Sequence, residues 1–435
     1  MDYKIDILEL VLLPVYISLC YLGLTYYKRN STNIYVKKYL IPGFFFKVSM
    51  GVFYALLVYY YWGIGDSLSY FKDAISINRL VTENKVSFFD IFLQDADFFK
   101  TNFDLHASVN QSGFWVVRFA YIISYLSFLR FLPATVLFSL GSYICLFTLF
   151  LTFVKYLPSW HKGVAFSSIF FPTIGIYGSG VLKDTLCISS LAMLFVATDS
   201  MLENRKLSAR QISIVAITVY LLLEVKAYII AAFAVPYLLF LIFRTIGRIK
   251  NKIVKPVIFF MAILALFGIL YTSSKTISET LGAYALENIE ENISALQNSY
   301  RTSTEEAGST FEIGEMEPTF EGILTKFPLG IVATLYRPFI WEVRNFLMLF
   351  SALESFALLF LTLFTLYKAG PLKSVRLIRK ESHIFLFIIY SLIFSGLVGL
   401  STLNFGTLAR YRIPVIPFYM MGILLILFKS SEDRR

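Results

Sequence analysis

The sequence predicts an all-α protein, a polytopic bundle of transmembrane helices. Of its 435 residues, 57% are hydrophobic and only 16% are charged, and the mean hydropathy is +0.68. A soluble core cannot absorb that much apolar surface. The apolar residues also form long blocks instead of the one-sided stripes that mark helices on the surface of a soluble domain. Both observations indicate that most helices face lipid or one another inside a membrane.

Apolar blocks of nearly spanning length occur along the whole chain. A helix needs roughly 20 residues to cross a bilayer, and because several blocks are shorter we expect roughly 11 to 12 spans. No fixed-period repeat or low-complexity linker interrupts them, so 1–435 is predicted to be a single membrane domain. The blocks are 7–27, 41–63, 114–130, 132–153, 164–178, 182–200, 211–224, 227–243, 255–272, 346–367, 383–401 and 412–428.

The basic residues predict the orientation. In a soluble chain a net charge of +10 would favour nucleic acid as a partner, but here the basic residues lie in short connections such as 244–255 and 368–380. Such connections concentrate on the cytoplasmic side, so no nucleic-acid partner is expected. The predicted orientation makes 64–113 the first extracytoplasmic loop. It makes 273–345 a long, Glu-rich extracytoplasmic loop that ends in an interfacial helix.

This orientation requires an odd number of crossings between the first loop and the cytoplasmic connection near 205. Four blocks lie there, so one of them must fail to cross. We assign the failure to 164–181, as a broken or re-entrant segment, because irregular backbone is tolerated inside a membrane only where it lines a cavity. Its helix-breaking residues are Pro172, Gly175, Gly178 and Gly180.

The pair Lys183–Asp184 lies inside an otherwise apolar run. Burying an unpaired charge there is expensive, so ionisable residues in a span are functional candidates by default. Lys183 could bind the phosphate of a lipid-linked substrate while Asp184 orients it, and the alternative is a mutual ion pair of the two residues that packs two helices together. The neighbouring glycines favour the functional interpretation because they let a ligand approach the backbone. Glu224 and Lys226 predict a tight external hairpin, with a structural role as its turn and with Lys226 on the same side as Lys183.

Asp66 follows the second predicted span, and Tyr70 comes one helical turn later. A carboxylate at the membrane boundary can act as a general base or as a metal ligand. The alternative is that Asp66 caps a helix that starts at Ser67. The sequence leaves both interpretations open.

Arginines near the end of the chain are predicted to face the outside, against the usual cytoplasmic bias. Arg337 and Glu342 lie among aromatic residues before one span, and Arg410 and Arg412 precede the last. Arginine binds phosphate oxygens in a bidentate manner, so an anionic ligand would explain them. An interfacial anchor, or a salt bridge to the Glu-rich loop, is the alternative.

Other chemistries find no support in the sequence. The histidines His106, His161 and His383 are scattered, and the three cysteines lie in apolar runs, so neither type predicts a metal site or a disulfide framework. No phosphate-binding Gly-rich loop, dinucleotide fingerprint or nucleophile elbow occurs. An ATP-driven pump and a serine hydrolase are therefore not expected.

Several short motifs together resemble those of bacterial polysaccharide-assembly membrane proteins. They are the acid of the first external loop, SG-x-x-KD at 179–184, YRPFIWE-x-x-N at 336–345 and ARYR-x-P-x-x-P at 409–417. The layout is similar to that of GT-C type glycosyltransferases and of O-antigen polymerases, which join oligosaccharide repeat units. In the GT-C families the acid of the first external loop activates the acceptor or binds a metal. By this resemblance Asp66 would be that acid, with Asp73 as a spare, although it follows the second predicted span instead of the first.

The resemblance to the polymerases implies that Arg337, Arg410 and Arg412 hold the pyrophosphate of a polyprenyl carrier. The expected function is transfer or polymerisation of polyprenyl-linked sugars at the outer face of a bacterial plasma membrane. Expected partners are the polyprenyl-linked oligosaccharide, membrane lipids and other polysaccharide-assembly proteins. No metal ligands are assigned, and the need for a divalent metal cofactor stays open. The alternative function is a secondary transporter of an anionic solute.

Overall fold

The computed structural model describes residues 3–63, 65–103, 110–204, 207–246, 311, 314 and 320–432. Across these residues the secondary structure is helical and contains no β-strand, which confirms the all-α prediction. Seven of the described helices are long and apolar enough to cross a membrane, or eight if one bent pair forms a single span. The protein is therefore a multi-pass membrane protein.

The described residues form two compact units, 1–226 and 227–435. The first unit begins with two long helices, α1 and α2, and α2 ends in a π-helical turn at Leu57–Trp62. Its helices are α1 (Ile7–Asn30), α2 (Ile34–Leu56), α3 (Asp66–Thr82), α4 (Asp90–Leu93), α5 (Ala96–Asn102), α6 (Gln111–Leu126), α7 (Phe131–Tyr156), α8 (His161–Ala165), α9 (Pro172–Tyr177) and α10 (Lys183–Asn204).

The helix α11 (Ala209–Ile246) starts in the first unit and carries a break at Lys226, whose φ of −150° and ψ of 79° are not helical. The break lies at the turn that the sequence predicted. The second unit then continues with six described helices. They are α12 (Phe320–Tyr336), α13 (Phe346–Ala369), α14 (Pro371–Lys380), α15 (Ser382–Ser401), α16 (Phe405–Tyr411) and α17 (Ile416–Glu432).

The span count differs from the predicted 11 to 12 for identifiable reasons. The block 255–272 lies outside the described residues. Blocks 211–224 and 227–243 belong to the single interrupted helix α11. Block 114–130 forms α6, which has only 16 residues and packs on α3.

The helix α7 is the centre of the first unit and packs against α1, α2 and α10. Its first two N–H groups are capped from the start of the chain: the Glu9 carboxylate accepts from the N–H of Leu132 at 2.8 Å, and the Tyr3 hydroxyl accepts from the N–H of Phe131 at 2.9 Å. The first N–H groups of a helix have no partner within it, so these two side chains fix α1 to the start of α7.

The segment between α7 and α10 is broken, as predicted, into α8, a π-helical turn at Phe166–Phe170, and α9. This segment runs alongside α2 in the same direction: His161 contacts Tyr39 near its start, and Gly180 lies beside Tyr54 near its end. That stretch of α2 covers about 22 Å at the helical rise, most of a hydrocarbon core of about 30 Å. We expected this segment not to cross, but its contacts favour a broken crossing and leave α6 as the non-crossing block.

In the second unit, α15 packs on α12 and α17. The backbones of α12 and α15 approach closely because glycines face each other, and a Cβ on Gly330 would lie 2.7 Å from the carbonyl oxygen of Gly396. Small residues at such positions let membrane helices pack closely. The helices α16 and α17 form the bent pair, at an angle of 69°, and Pro414 lies in the break between them.

Candidate functional site

The first unit gathers most of its predicted site residues at one end, where α3, α6 and α10 begin. Lys183 is the first residue of α10, and its ammonium donates to the Asn110 side-chain oxygen and to the Ser112 hydroxyl, each at 2.8 Å. Asn110 is held in place because it caps α6 and accepts from the N–H of Gly113 at 3.0 Å. The lysine that the sequence singled out thus extends from α10 to the start of α6.

Tyr70 reaches the same place from α3. A Cβ added to Gly113 would lie 3.0 Å from the Tyr70 ring, 3.3 Å from the Asn110 oxygen and 3.4 Å from Lys183 Cε. The Asp66 carboxylate acts electrostatically on the Lys183 ammonium. Asp66 is exposed and is the first residue of α3, whose cap is Gly65, so the alternative prediction that Asp66 caps the helix is wrong.

Asp184 points away from Lys183. Successive residues of a helix are rotated by about 100°, and Asp184 instead accepts from the Lys226 ammonium at 2.6 Å. This pair is buried, with 2% of the Asp184 side chain and 10% of the Lys226 side chain exposed. The pair ties the start of α10 to the break in α11. An ion pair that packs two helices was the alternative prediction, but the cation that pairs with Asp184 is Lys226 and not Lys183.

The structure adds residues that the sequence analysis did not assign to the site. Trp115 of α6 donates its ring N–H to Glu224 at 3.1 Å, and the Arg118 guanidinium lies 4.2 Å from the centre of the Trp115 ring. Arg118 itself donates to the Ile91 carbonyl at 2.7 Å. These contacts fix α6 between α4 and α11 and thereby hold Asn110 and Ser112 in position.

The sequence carries little signal for these additional residues. Asn110 and Ser112 are ordinary helix-start residue types, and they become noteworthy only when Lys183 is found beside them. Glu224 was noticed, but as part of a turn. The interruption of an apolar block by a carboxylate was the one available signal that it has a partner inside the fold.

In the second unit, Arg337 and Glu342 form an ion pair. The guanidinium of Arg337 also lies 4.6 Å from the Phe311 ring and 5.3 Å from the Phe405 ring. The side chains of Arg337 and Glu342 are each about four-fifths buried. The pair therefore braces the segment between α12 and α13, and a ligand-binding role for either residue stays a prediction.

Arg412 is enclosed, with no exposed side-chain surface, and pairs with Glu354 of α13 at 3.0 Å. It also donates to the Ser355 hydroxyl at 2.6 Å and to the Ser351 hydroxyl at 3.2 Å. Arg410, two residues earlier at the end of α16, is half-buried. The geometry of Arg412 is that of a residue that packs α13 against the start of the last helix.

We expect Gly113→Ala to lower the free energy of unfolding by about 1 kcal/mol, since the new methyl group crowds Tyr70, Asn110 and Lys183. Gly141 in α7 is the matched control, because a Cβ there would meet nothing within 4 Å. Gly141→Ala should raise stability by up to about 1 kcal/mol through helix propensity. Denaturation of both variants in detergent tests this, and equal gains would show that the contacts at Gly113 are loose.

Within the described residues, no group of three or more His, Cys, Asp or Glu side chains is arranged to hold a metal ion. Comparisons of the chain with family models, with curated proteins and with solved structures find no match.

Proposed function

We propose that the protein transfers or polymerises polyprenyl-linked sugars at the extracytoplasmic face of a bacterial plasma membrane, and that the first unit binds the phosphate of the donor. The observation that carries the proposal is the environment of Lys183. Both of its hydrogen-bond acceptors among the described residues are neutral, whereas Lys226 is neutralised by Asp184. An ammonium held by neutral oxygens at the end of a span is suited to a phosphate ligand.

Asp66 supplies the second requirement of such a reaction. Its carboxylate is exposed, lies at the start of α3 and acts on Lys183 electrostatically. In the proposed reaction the acceptor hydroxyl attacks the anomeric carbon of the donor sugar, and the bond from that carbon to the phosphate oxygen breaks. Asp66 accepts the hydroxyl proton as general base, and Lys183 stabilises the charge that develops on the departing phosphate.

The buried pair Asp184–Lys226 supports this arrangement without contacting the reacting atoms. Because the pair fixes α10 to the break in α11, the Lys183 backbone is held while its side chain remains free to exchange Asn110 and Ser112 for phosphate oxygens. A group positioned in advance contributes more to catalysis than one that must reorganise. The roles predicted for Arg337, Arg410 and Arg412 on a carrier pyrophosphate stay predictions.

The test compares surface polysaccharide and lipid-linked oligosaccharides in cells that carry wild type, Asp66→Asn or Lys183→Ala at matched protein levels. We expect long chains to fall by at least about 100-fold in both variants, since each removes a group acting in the transition state. Lys155→Ala is the control, because that lysine forms an exposed ion pair with Glu203.

The accumulated intermediate identifies the reaction. A single lipid-linked repeat unit in the Asp66 and Lys183 variants indicates a polymerase, and a carrier that lacks one sugar indicates a transferase. Unchanged glycans in both variants would refute the enzyme proposal.

A transporter of an anionic solute is the second candidate, and the broken segment between α8 and α10 favours it. Discontinuous helices near the middle of a membrane are typical of transporter binding sites. Solute uptake that depends on Lys183, together with unchanged glycans, would establish this function instead.

A further inference from the structure

Lys47 lies near the middle of the membrane-crossing helix Ile34–Trp62 and outside the candidate site. It belongs to α2, and its side chain is completely buried. A lysine at that depth is costly unless other groups solvate its charge, so it is expected to have a purpose.

The Lys47 ammonium is bound by backbone carbonyls. It donates to the carbonyl oxygens of Ile174 and Gly178, both at 2.7 Å, and no carboxylate of the described residues pairs with it. These carbonyls lie at the C-terminal end of α9, where helix carbonyls carry partial negative charge. The Ile174 oxygen also accepts from the N–H of Gly178 at 3.1 Å. The ammonium therefore occupies the position that a bound monovalent cation would take at the end of a discontinuous helix.

Neighbouring hydroxyl groups also donate hydrogen bonds to the carbonyls of this turn. Ser142 donates to the Gly178 carbonyl at 2.6 Å, Ser139 donates to the Ser179 carbonyl at 2.9 Å, and Thr185 donates to the Gly180 carbonyl at 2.7 Å. Successive carbonyls of the broken segment are thus satisfied by side chains, as a buried backbone requires.

The backbone of the turn fits tightly around the ammonium. A Cβ on Gly178 would lie 2.9 Å from Lys47 Nζ and 2.6 Å from the Ile174 carbonyl oxygen. Only glycine therefore lets the chain pass this close to the charge. The turn leads directly into α10, and Lys183 follows Gly178 by five residues.

We infer that Lys47 is a positioning residue: its ammonium serves as a built-in cation that holds the turn at 174–180 and so presents Lys183 and Asp184 at the start of α10. The cation role rests on the contacts of Lys47 alone. Its consequence for substrate rests on the proposed function. The carbonyl oxygens of Ile174 and Gly178 form a site for a primary ammonium or a monovalent cation.

Chemical rescue tests the cation role. Lys47→Ala removes a propylammonium group, so n-propylammonium chloride should raise the melting temperature of this variant in detergent. Wild type should not respond, and neither should Lys47→Met, whose side chain fills the same space. Tetramethylammonium chloride controls for ionic strength and 1-propanol for the apolar part of the probe. Equal rescue by propanol, or no rescue of folded Lys47→Ala, would overturn the inference.

Cys187 reports whether the turn positions α10. It is buried one turn after Lys183, so maleimide can modify it only when the start of α10 opens. In protein that carries Cys20→Ser and Cys145→Ala, Lys47→Met should raise the labelling rate by about tenfold, measured well below the melting temperature. Unchanged labelling in folded Lys47→Met would show that the lysine does not hold this segment.

Ser142→Ala keeps the test decisive if the Lys47 variants do not fold. It removes one hydrogen bond from the Gly178 carbonyl, and labelling of Cys187 should rise by about threefold. Thr148→Ala on the same helix is the control, since that hydroxyl donates only to the Ile144 carbonyl of its own helix. Equal labelling in these two variants would count against the inference.

The two proposals fail separately. Rescue by propylammonium with unchanged glycans in Lys183→Ala would refute the proposed function and leave the role of Lys47 intact. Loss of glycans in Lys183→Ala without rescue or altered labelling in the Lys47 variants would do the reverse.

Discussion

Arg412→Met is expected to lower the free energy of unfolding by about 3–5 kcal/mol, because it leaves the buried Glu354 carboxylate without its guanidinium. The same change removes the hydrogen bonds that the Ser351 and Ser355 hydroxyls accept from the guanidinium. Titration of detergent-solubilised protein with sodium dodecyl sulfate, followed by circular dichroism, measures the change. Arg412→Lys should recover only part of it, because an ammonium cannot reproduce the planar fork of arginine.

Two controls separate the ion pair from a general effect of losing an arginine. Arg376 of α14 is exposed, so Arg376→Met should change stability by no more than about 0.5 kcal/mol. The double variant Arg412→Met with Glu354→Gln removes both charges and should be more stable than Arg412→Met alone. If Arg412→Met unfolds like wild type while the proposed polysaccharide synthesis is lost, the predicted anion-binding role replaces the packing role.

Lys226→Met should also destabilise the protein by about 3–5 kcal/mol, because Asp184 is 2% exposed and loses its cation. Asp184→Asn should have a similar effect, because the buried Lys226 ammonium then loses its carboxylate. The double variant is expected to lose less than the sum of the two, with a coupling energy of about 1–3 kcal/mol. The same titration in detergent measures all three variants.

The ion pair Lys155–Glu203 is the matched control, since both of its side chains are more than half exposed. Lys155→Met should cost no more than about 1 kcal/mol. Additive effects of Asp184→Asn and Lys226→Met would show that the two residues act independently and that the break in α11 is fixed by other contacts.

The helical membrane fold and the position of its interruptions were predictable from the sequence. Long apolar blocks can satisfy their backbone in lipid only as helices, which is why composition was sufficient for the fold class. Pro172 and the glycines that follow it predicted the break before α10, and Lys226 predicted the break in α11. These are local effects of residue type on the backbone, and they depend little on the rest of the chain.

Partners of the charged residues were not predictable. Lys183 and Asp184 are adjacent in sequence, yet the helical rotation of about 100° sends one to Asn110 and the other to Lys226. Arg412 was predicted to face the outside, and its guanidinium is enclosed by α13. A charged residue at the end of an apolar block looks the same in sequence whether it meets a ligand or another charge.

The sequence by itself determined that this protein is a bundle of membrane helices. It also predicted Asp66, Tyr70 and Lys183 as catalytic or substrate-binding residues. Only the tertiary structure decided that Tyr70 and Lys183 meet at Gly113, that Asp184 and Arg412 are bound in buried ion pairs, and that Lys47 solvates the end of a broken helix. The physical reason is the range of the interactions. Hydropathy and backbone preference act within a few residues along the chain, whereas a buried charge is stabilised by groups that folding brings from far away in sequence.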